Sequence, residues 1–268
     1  MTLLERLGQL FPQASRRSLK QWLETGRVTV NGAIERDGRS AVGASDTIVL
    51  GGQPRPAFPP RLRLLHEDDA LLVIEKPPGL LTIASGKNER ERTAYRLLWE
   101  YLAAQKPARR PFIVHRLDRE TSGLLVFAKS PGAKRGLQAQ FAARVVERVY
   151  IAVVEGRVEA DSGTLKTELS QDRALRVRQV RAGKEAITHY RVLARRARAT
   201  ALELRLGTGR RHQIRVQLAG IGHPILGDPL HSRDRGGRMR LHATRLAFVH
   251  PGTGARLSFE SAPPPGWV

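Results

Sequence analysis

Apolar positions along the first fifty residues recur first at helical spacing and then at strand spacing. Thr2 with Glu5 has the form of a capping box and predicts a short helix through Leu10. Ser15 is placed to cap a second helix, with Leu19, Trp22 and Leu23 on one face and Gly26 as its stop. Arg27 to Val30 then reads as a strand, Asn31-Gly32 as a tight turn, and Asp46 to Leu50 as a closing strand. From Gly51 to Pro60 the chain is rich in proline and glycine, which sustain neither a helix nor a central strand. The pattern predicts a first domain over residues 1–52, a linker over 53–61 and a second domain over 62–268.

The second domain mixes periods. Leu71 to Ile74 has the composition of a buried strand, closed by Lys76-Pro77-Pro78-Gly79, where the prolines end pairing and the glycine permits a turn. Ala94, Leu97, Leu98, Tyr101 and Leu102 recur at helical spacing and predict a helix over 93–104. A further helix is expected over about 132–147, and strands over 149–154, 186–194, 200–206, 239–249 and 255–260. On a helix, Ile214, Leu218 and Ile221 share a face with Arg215 at its edge. Strands outnumber helices and follow one another directly. The expected class is therefore α+β, with a mixed, mostly antiparallel sheet and not a doubly wound one.

Charge changes the picture. Lys and Arg number 46 against 25 Asp and Glu, a formal charge of +21, which points to a polyanionic partner such as nucleic acid. No apolar run approaches the length of a membrane span, and Met1 to Arg6 lacks the basic-then-apolar order of a secretory signal. The cysteine count is zero, which removes disulfides, thiol nucleophiles and cysteine–zinc sites and suits a cytoplasmic chain. The 8 histidines show no metal-ligand spacing. Phosphate-loop, dinucleotide-binding and serine-elbow motifs are likewise missing from the sequence.

Two segments carry candidate chemistry. In His115 to Lys129, Asp118 stands between Arg116 and Arg119, after the apolar Phe112-Ile113-Val114 and before the apolar Leu124 to Ala128. Neighbouring guanidinium groups favour an ionised carboxylate, which acts as nucleophile or base; an isolated Asp-Arg pair would be no more than a solvated turn. The second segment is Thr208 to Val216 followed by Gly222 to Asp228. A half-buried Arg215 requires an anion, and Asp118 is the candidate.

The whole His115–Lys129 string resembles the signature of the RluA-type pseudouridine synthases, which isomerise uridine in structured RNA. The Thr208–Asp228 block resembles a second motif of that family, departing from it at Arg211 (usually Thr) and Gln217 (often His). Lys76 to Gly79 and Leu241-His242-Ala243 through His250-Pro251 match further family motifs. The first fifty residues resemble an S4 RNA-binding domain, which implies that Arg16, Arg17, Lys20 and Arg27 lie against phosphates.

The resemblance implies a catalytic Asp118 paired with Arg215, and a Tyr150 stacked on the target uracil. It implies an Arg116 that expels or replaces the flipped nucleotide; a plain phosphate contact is the other role open to it. Arg119, Arg210, His212 and Gln213 are implied as substrate contacts. The isomerisation has no net redox step, so no cofactor or metal is expected. The implied substrate is large-subunit ribosomal RNA. Transfer RNA, or a non-catalytic RNA-binding role in ribosome assembly, are the alternatives. A monomer is expected. The arginine-rich stretch 163–185 (Arg173, Arg176, Arg178, Arg181) is a candidate hairpin gripping RNA.

Overall fold

The structure is a computed structural model, and it describes residues 1–52, 56–84, 91–105, 107–234 and 236–268. Residues 53–55 of the expected linker lie outside the described residues. The chain divides into two compact units, Met1–Ala57 with Ala104–Pro107, and Phe58–Ala103 with Ala108–Val268.

The first unit holds α1 (Leu3–Leu10), α2 (Arg16–Glu24), β1 (Val28–Val30), β2 (Ala33–Ile34) and β3 (Ile48–Leu50). The capping box of α1 is formed: the Thr2 amide donates to Glu5 Oε2 at 2.8 Å and the Glu5 amide to Thr2 Oγ1 at 3.3 Å. The Ser15 hydroxyl accepts from the Ser18 amide at 3.1 Å and starts α2. Asn31 (φ 52°) and Gly32 (φ 85°) both take left-handed backbone, which lets β1 fold back on β2. Strand β1 also pairs antiparallel with β3. Leu3, Leu7, Leu19, Leu23, Val28 and Val42 fill the core.

The second unit contains β4 (Arg63–Glu67), β5 (Leu71–Lys76), α3 (Ala94–Ala103), β6 (Phe112–Ile113), β7 (Ser122–Ala128) and α4 (Pro131–Ala142). There follow β8 (Glu147–Glu155), β9 (Ser162–Gln171), β10 (Val177–Val180), β11 (Lys184–Arg196) and β12 (Ala199–Leu206). It ends with α5 (Gln213–Gly220), β13 (Leu241–Val249) and β14 (Arg256–Glu260). The strands form one mixed sheet in the order β10-β9-β11-β12-β8-β13-β7-β5-β4, with β14 on β13 and β6 on β7. The β13–β7 contact is parallel, and the other pairings between these strands are antiparallel.

Side chains alternate across this sheet, and both faces are covered. Leu72, Ile74, Leu125, Phe127, Tyr150 and Ala152 share one core with Leu98 and Leu102 of α3 and Ile214 and Leu218 of α5. Leu71, Val73, Leu124 and Val126 pack on the other face with Ala133 and Leu137 of α4. Burial on both faces is why β5 and β7 read as unbroken apolar runs.

One reading changes. The helix expected over 132–147 ends at Ala142, and Arg144 takes a left-handed φ of 61° before β8 begins. Val146 packs with Leu137 in one core, so the apolar pattern continues after the helix has stopped. The 163–185 stretch forms the expected hairpin, β9 with β10, leading into β11, and Arg173, Arg176, Arg178 and Arg181 are exposed on it.

The parallel junction sets a strict condition on Gly123. It has φ 110°, and a Cβ there would stand 2.2 Å from the Ala243 carbonyl oxygen. Because the obstacle is backbone of a central strand, neither strand can give way. Gly123→Ala is expected to destabilise the second unit by roughly 4 kcal/mol or more, read from chemical denaturation; a loss below about 1 kcal/mol would contradict the close approach.

Candidate active site

Asp118 sits in the loop between β6 and β7, held from two sides. The Leu117 amide donates to Thr82 Oγ1 at 3.1 Å, and the Thr82 hydroxyl donates back to the Leu117 carbonyl at 2.9 Å. Below the loop, the fully buried Lys76 donates through Nζ to the carbonyls of Pro77 (2.8 Å), Leu80 (2.7 Å) and Arg119 (3.1 Å). Burial pulls the Lys76 pKa down to about 7, against the opposing pull of the Glu120 and Asp118 carboxylates. The family-like Lys76-Pro77-Pro78-Gly79 turn thus supports the backbone that presents Asp118.

The guanidinium that meets Asp118 belongs to Arg215, in the first turn of α5. Its side chain is 2% exposed, and NH1 lies 3.5 Å from Asp118 Oδ2 and 3.9 Å from Glu120 Oε2. The tighter partner is Asp228, which accepts from Nε at 2.8 Å and from NH2 at 2.7 Å. Burial works against the charge on Arg215, but the hydrogen-bonded Asp228 carboxylate outweighs it and holds the pKa above the usual guanidinium value. Burial likewise opposes the Asp228 charge, and Arg215 holds that carboxyl below its usual range. His212 caps α5 with a left-handed φ of 52°, and its Nε2 stands 3.7 Å from Asp118 Oδ1. Burial lowers the His212 pKa, opposed by Asp118.

Asp118, Arg215 and Tyr150 line one cavity of about 480 Å³. Tyr150 lies on β8, buried among core residues yet reaching the cavity wall. Burial pushes its phenol up to about 12; Arg148 opposes that shift and Asp118 adds to it. Arg116, Arg144, Arg148, Arg210 and Arg211 join Arg215 around the cavity, and Asp118 is the carboxylate among its lining residues. Such a space attracts an anionic ligand with a flat group to lay on the tyrosine. His115 also lines it, stacked on Phe141 with ring centroids 4.7 Å apart. Its Nε2 accepts from the Val126 amide at 3.2 Å, and burial pulls its pKa down to about 3, so it is a neutral wall of the cavity.

The other expected site residues divide. Arg116, Arg210 and His212 border the cavity, and Arg116 and Arg210 are exposed to solvent. Arg119 does not flank the Asp118 carboxylate as a partner; its guanidinium forms a two-toothed pair with Glu91. Gln213 lines the cavity too, with its side-chain amide hydrogen-bonded inside the protein. Its Oε1 accepts from Thr208 Oγ1 (2.7 Å) and the Arg210 amide (3.0 Å), while Nε2 donates to the Ile187 carbonyl (3.0 Å) and to Thr188 Oγ1 on β11 (2.9 Å). With its amide hydrogen-bonded to protein groups on both sides, Gln213 positions the Thr208–Arg210 loop at the cavity wall. In the first unit, Arg16, Arg17 and Lys20 are exposed on α2. Arg27 is half-buried, donating to the Gly51 carbonyl at 3.0 Å and lying over the Trp22 ring.

Sequence reasoning missed Asp228 and Arg148. Asp228 was in plain view at the end of the second motif, but nothing in its spacing tells which cation it meets. Asp228→Ala is expected to cost about 3–5 kcal/mol, because it strips a buried guanidinium of its bidentate partner. Chemical denaturation checks this, and a cost near zero would show that Arg215 is held by something else.

Comparison with known proteins follows the same residues. The sequence profile described as RNA pseudouridylate synthase matches residues 70–220. A Nitrosomonas europaea protein named ribosomal large subunit pseudouridine synthase D is 38% identical over 280 residues, covering 97% of this chain and 80% of that one. The protein of the same name in Pseudomonas aeruginosa is 37% identical over 284 residues, covering 96% of this chain and 87% of its own. The solved structure of human RNA pseudouridylate synthase domain containing 4 shares the fold, with a TM-score of 0.64 at 24% identity over 76% of this chain and 90% of that one. With the profile spanning the Asp118 loop, β8 and α5, and with relatives this similar along nearly the whole length, the chain belongs to the RluA-type family of RNA pseudouridylate synthases.

Proposed function

We propose that this chain converts uridine to pseudouridine in large-subunit ribosomal RNA, with Asp118 as the reacting carboxylate. The observation that carries the reading is the convergence of Asp118, Arg215 and Tyr150 on one arginine-lined cavity. The names of the relatives from Nitrosomonas europaea and Pseudomonas aeruginosa support the choice of RNA.

The reaction breaks the bond from uracil N1 to ribose C1′, turns the uracil and joins C5 to C1′. The C5 hydrogen leaves as a proton and N1 gains one, so the product is an isomer. Asp118 has two routes. It attacks C1′, with the bonding pair leaving on the uracil, or it takes the ribose 2′ proton and yields a glycal. On either route the detached base stays in the cavity, laid on the Tyr150 ring. Stacking of this kind contributes about 1–3 kcal/mol per base and offsets part of the cost of lifting uracil from its helix. Arg215 gives the carboxylate a fixed cationic neighbour, held in place by Asp228. Arg116, exposed at the rim, is placed to fill the gap the flipped nucleotide leaves or to meet a phosphate. The first unit, with Arg16, Arg17 and Lys20 exposed on α2, is read as an S4-like module that holds RNA through its phosphates.

Asp118→Asn is expected to abolish release of tritium from RNA labelled at uracil C5 while RNA binding persists. Continued release would remove Asp118 from the reaction. Tyr150→Leu should lower turnover by roughly fivefold to a hundredfold, the equivalent of the lost stacking. Tyr150→Phe keeps the ring and should stay close to the parent in the same assay; equal losses in both variants would mean that the hydroxyl, and not the ring face, is what matters.

A further inference from the structure

Arg148 is a buried cation for which the described residues supply no carboxylate. Its residue is 9% exposed, on β8 two positions before Tyr150. The buried Nε has no hydrogen-bond partner, and NH2 makes a single long contact to the Leu206 carbonyl at 3.4 Å. The guanidinium lies over the Phe141 ring, 5.4 Å from its centroid, and lines the same cavity as Asp118 and Tyr150. Burial without a counter-charge pulls its pKa below the ordinary guanidinium value. Arg215, by contrast, has Asp228 at 2.7 Å.

The fold nevertheless builds a place for this group. A Cβ on Gly209 would stand 2.6 Å from Arg148 NH1, so the glycine of Thr208-Gly209-Arg210 leaves the space the guanidinium occupies. A buried, unpaired charge is costly, and an apolar side chain of similar volume would serve stability better. Residues two apart on a strand share a face, which sets Arg148 beside the ring of Tyr150.

We infer that Arg148 receives an anionic oxygen of the nucleotide whose base lies on Tyr150, the counter-charge arriving with the substrate. This rests on the functional reading above. Two oxygens of that nucleotide qualify. One is its phosphate, charged throughout. The other is a uracil carbonyl oxygen, which shares the negative charge after the bond to C1′ breaks and the electron pair stays on the base.

The experiment compares the full chain with Arg148→Met, Arg148→Lys and Gly209→Ala, using a large-subunit ribosomal RNA transcript labelled with tritium at uracil C5. Melting temperature, RNA affinity and single-turnover rate are measured for each. Arg148→Met is expected to melt at or above the parent temperature while catalytic efficiency falls at least about tenfold. A phosphate contact places the loss in Kd and reduces the salt slope by about one ion. A contact to the departing uracil places it in the rate, with Kd unchanged. Arg148→Lys should recover part of the loss. Gly209→Ala, which keeps the charge but shifts the guanidinium, should impair the same parameter as Arg148→Met. The inference is overturned if Arg148→Met matches the parent in Kd and rate. It is overturned equally if Arg148→Met lowers the melting temperature while Gly209→Ala stays fully active, since Arg148 would then be structural. A parent chain that released no tritium would sink the functional reading instead, and the affinity and melting data would still test whether Arg148 meets an RNA anion.

Discussion

Arg215 is the point at which the site is tied together. One guanidinium, 2% exposed, faces three carboxylates drawn from separate stretches of chain: Asp118 and Glu120 from the loop before β7, and Asp228 from the turn beyond α5. Without it, the fully buried Asp228 would lose its bidentate partner, and the three carboxylates would face one another with no cation between them. The distances rank its duties. Two bonds of 2.7–2.8 Å to the fully buried Asp228 anchor the arginine, and the contact to Asp118 is longer, at 3.5 Å. A structural pair therefore holds the cation, and a looser pair shares its field with the carboxylate that faces the cavity.

Much of this architecture was written locally. The capping box at Thr2 and Glu5, the Ser15 cap and the Asn31-Gly32 turn depend on neighbours a few residues apart, and pattern alone locates them. The α+β class followed from strands succeeding one another without intervening helices. Asp118, Arg215 and Tyr150 stood out because long motifs surround them, and the fold brings all three to one cavity.

The unread parts depend on contacts distant in sequence. Asp228 and Gln213 both lie in motifs, yet their partners are fixed by how α5 sits on the sheet, which no spacing reveals. Arg119 looked like a neighbour of Asp118 because the two are adjacent in the chain; its partner, Glu91, lies 28 residues earlier. Arg148 resembled any other basic residue of a strongly basic chain. What distinguishes it is burial without a partner, a property of three dimensions. The end of α4 was misplaced for a related reason: Val146 keeps the apolar rhythm of the helix while already packing from the strand side.

The sheet is closed in its middle by a strand that is made long after its parallel neighbour. Strand β13 slots between β7 and β8, and its His242 lies opposite Ser122, 120 residues earlier. During synthesis, β7 and the Asp118 loop therefore emerge long before the neighbour that completes them. Pairing over such a separation is slow to form, and an apolar strand edge waits unpaired in the meantime. Leu241, which begins β13, is also part of the cavity wall. The Asp118 carboxylate thus acquires its full surroundings only after β13 has been made, so a nascent chain stalled before that strand would already carry Asp118, Tyr150 and Arg215 and still lack a finished pocket.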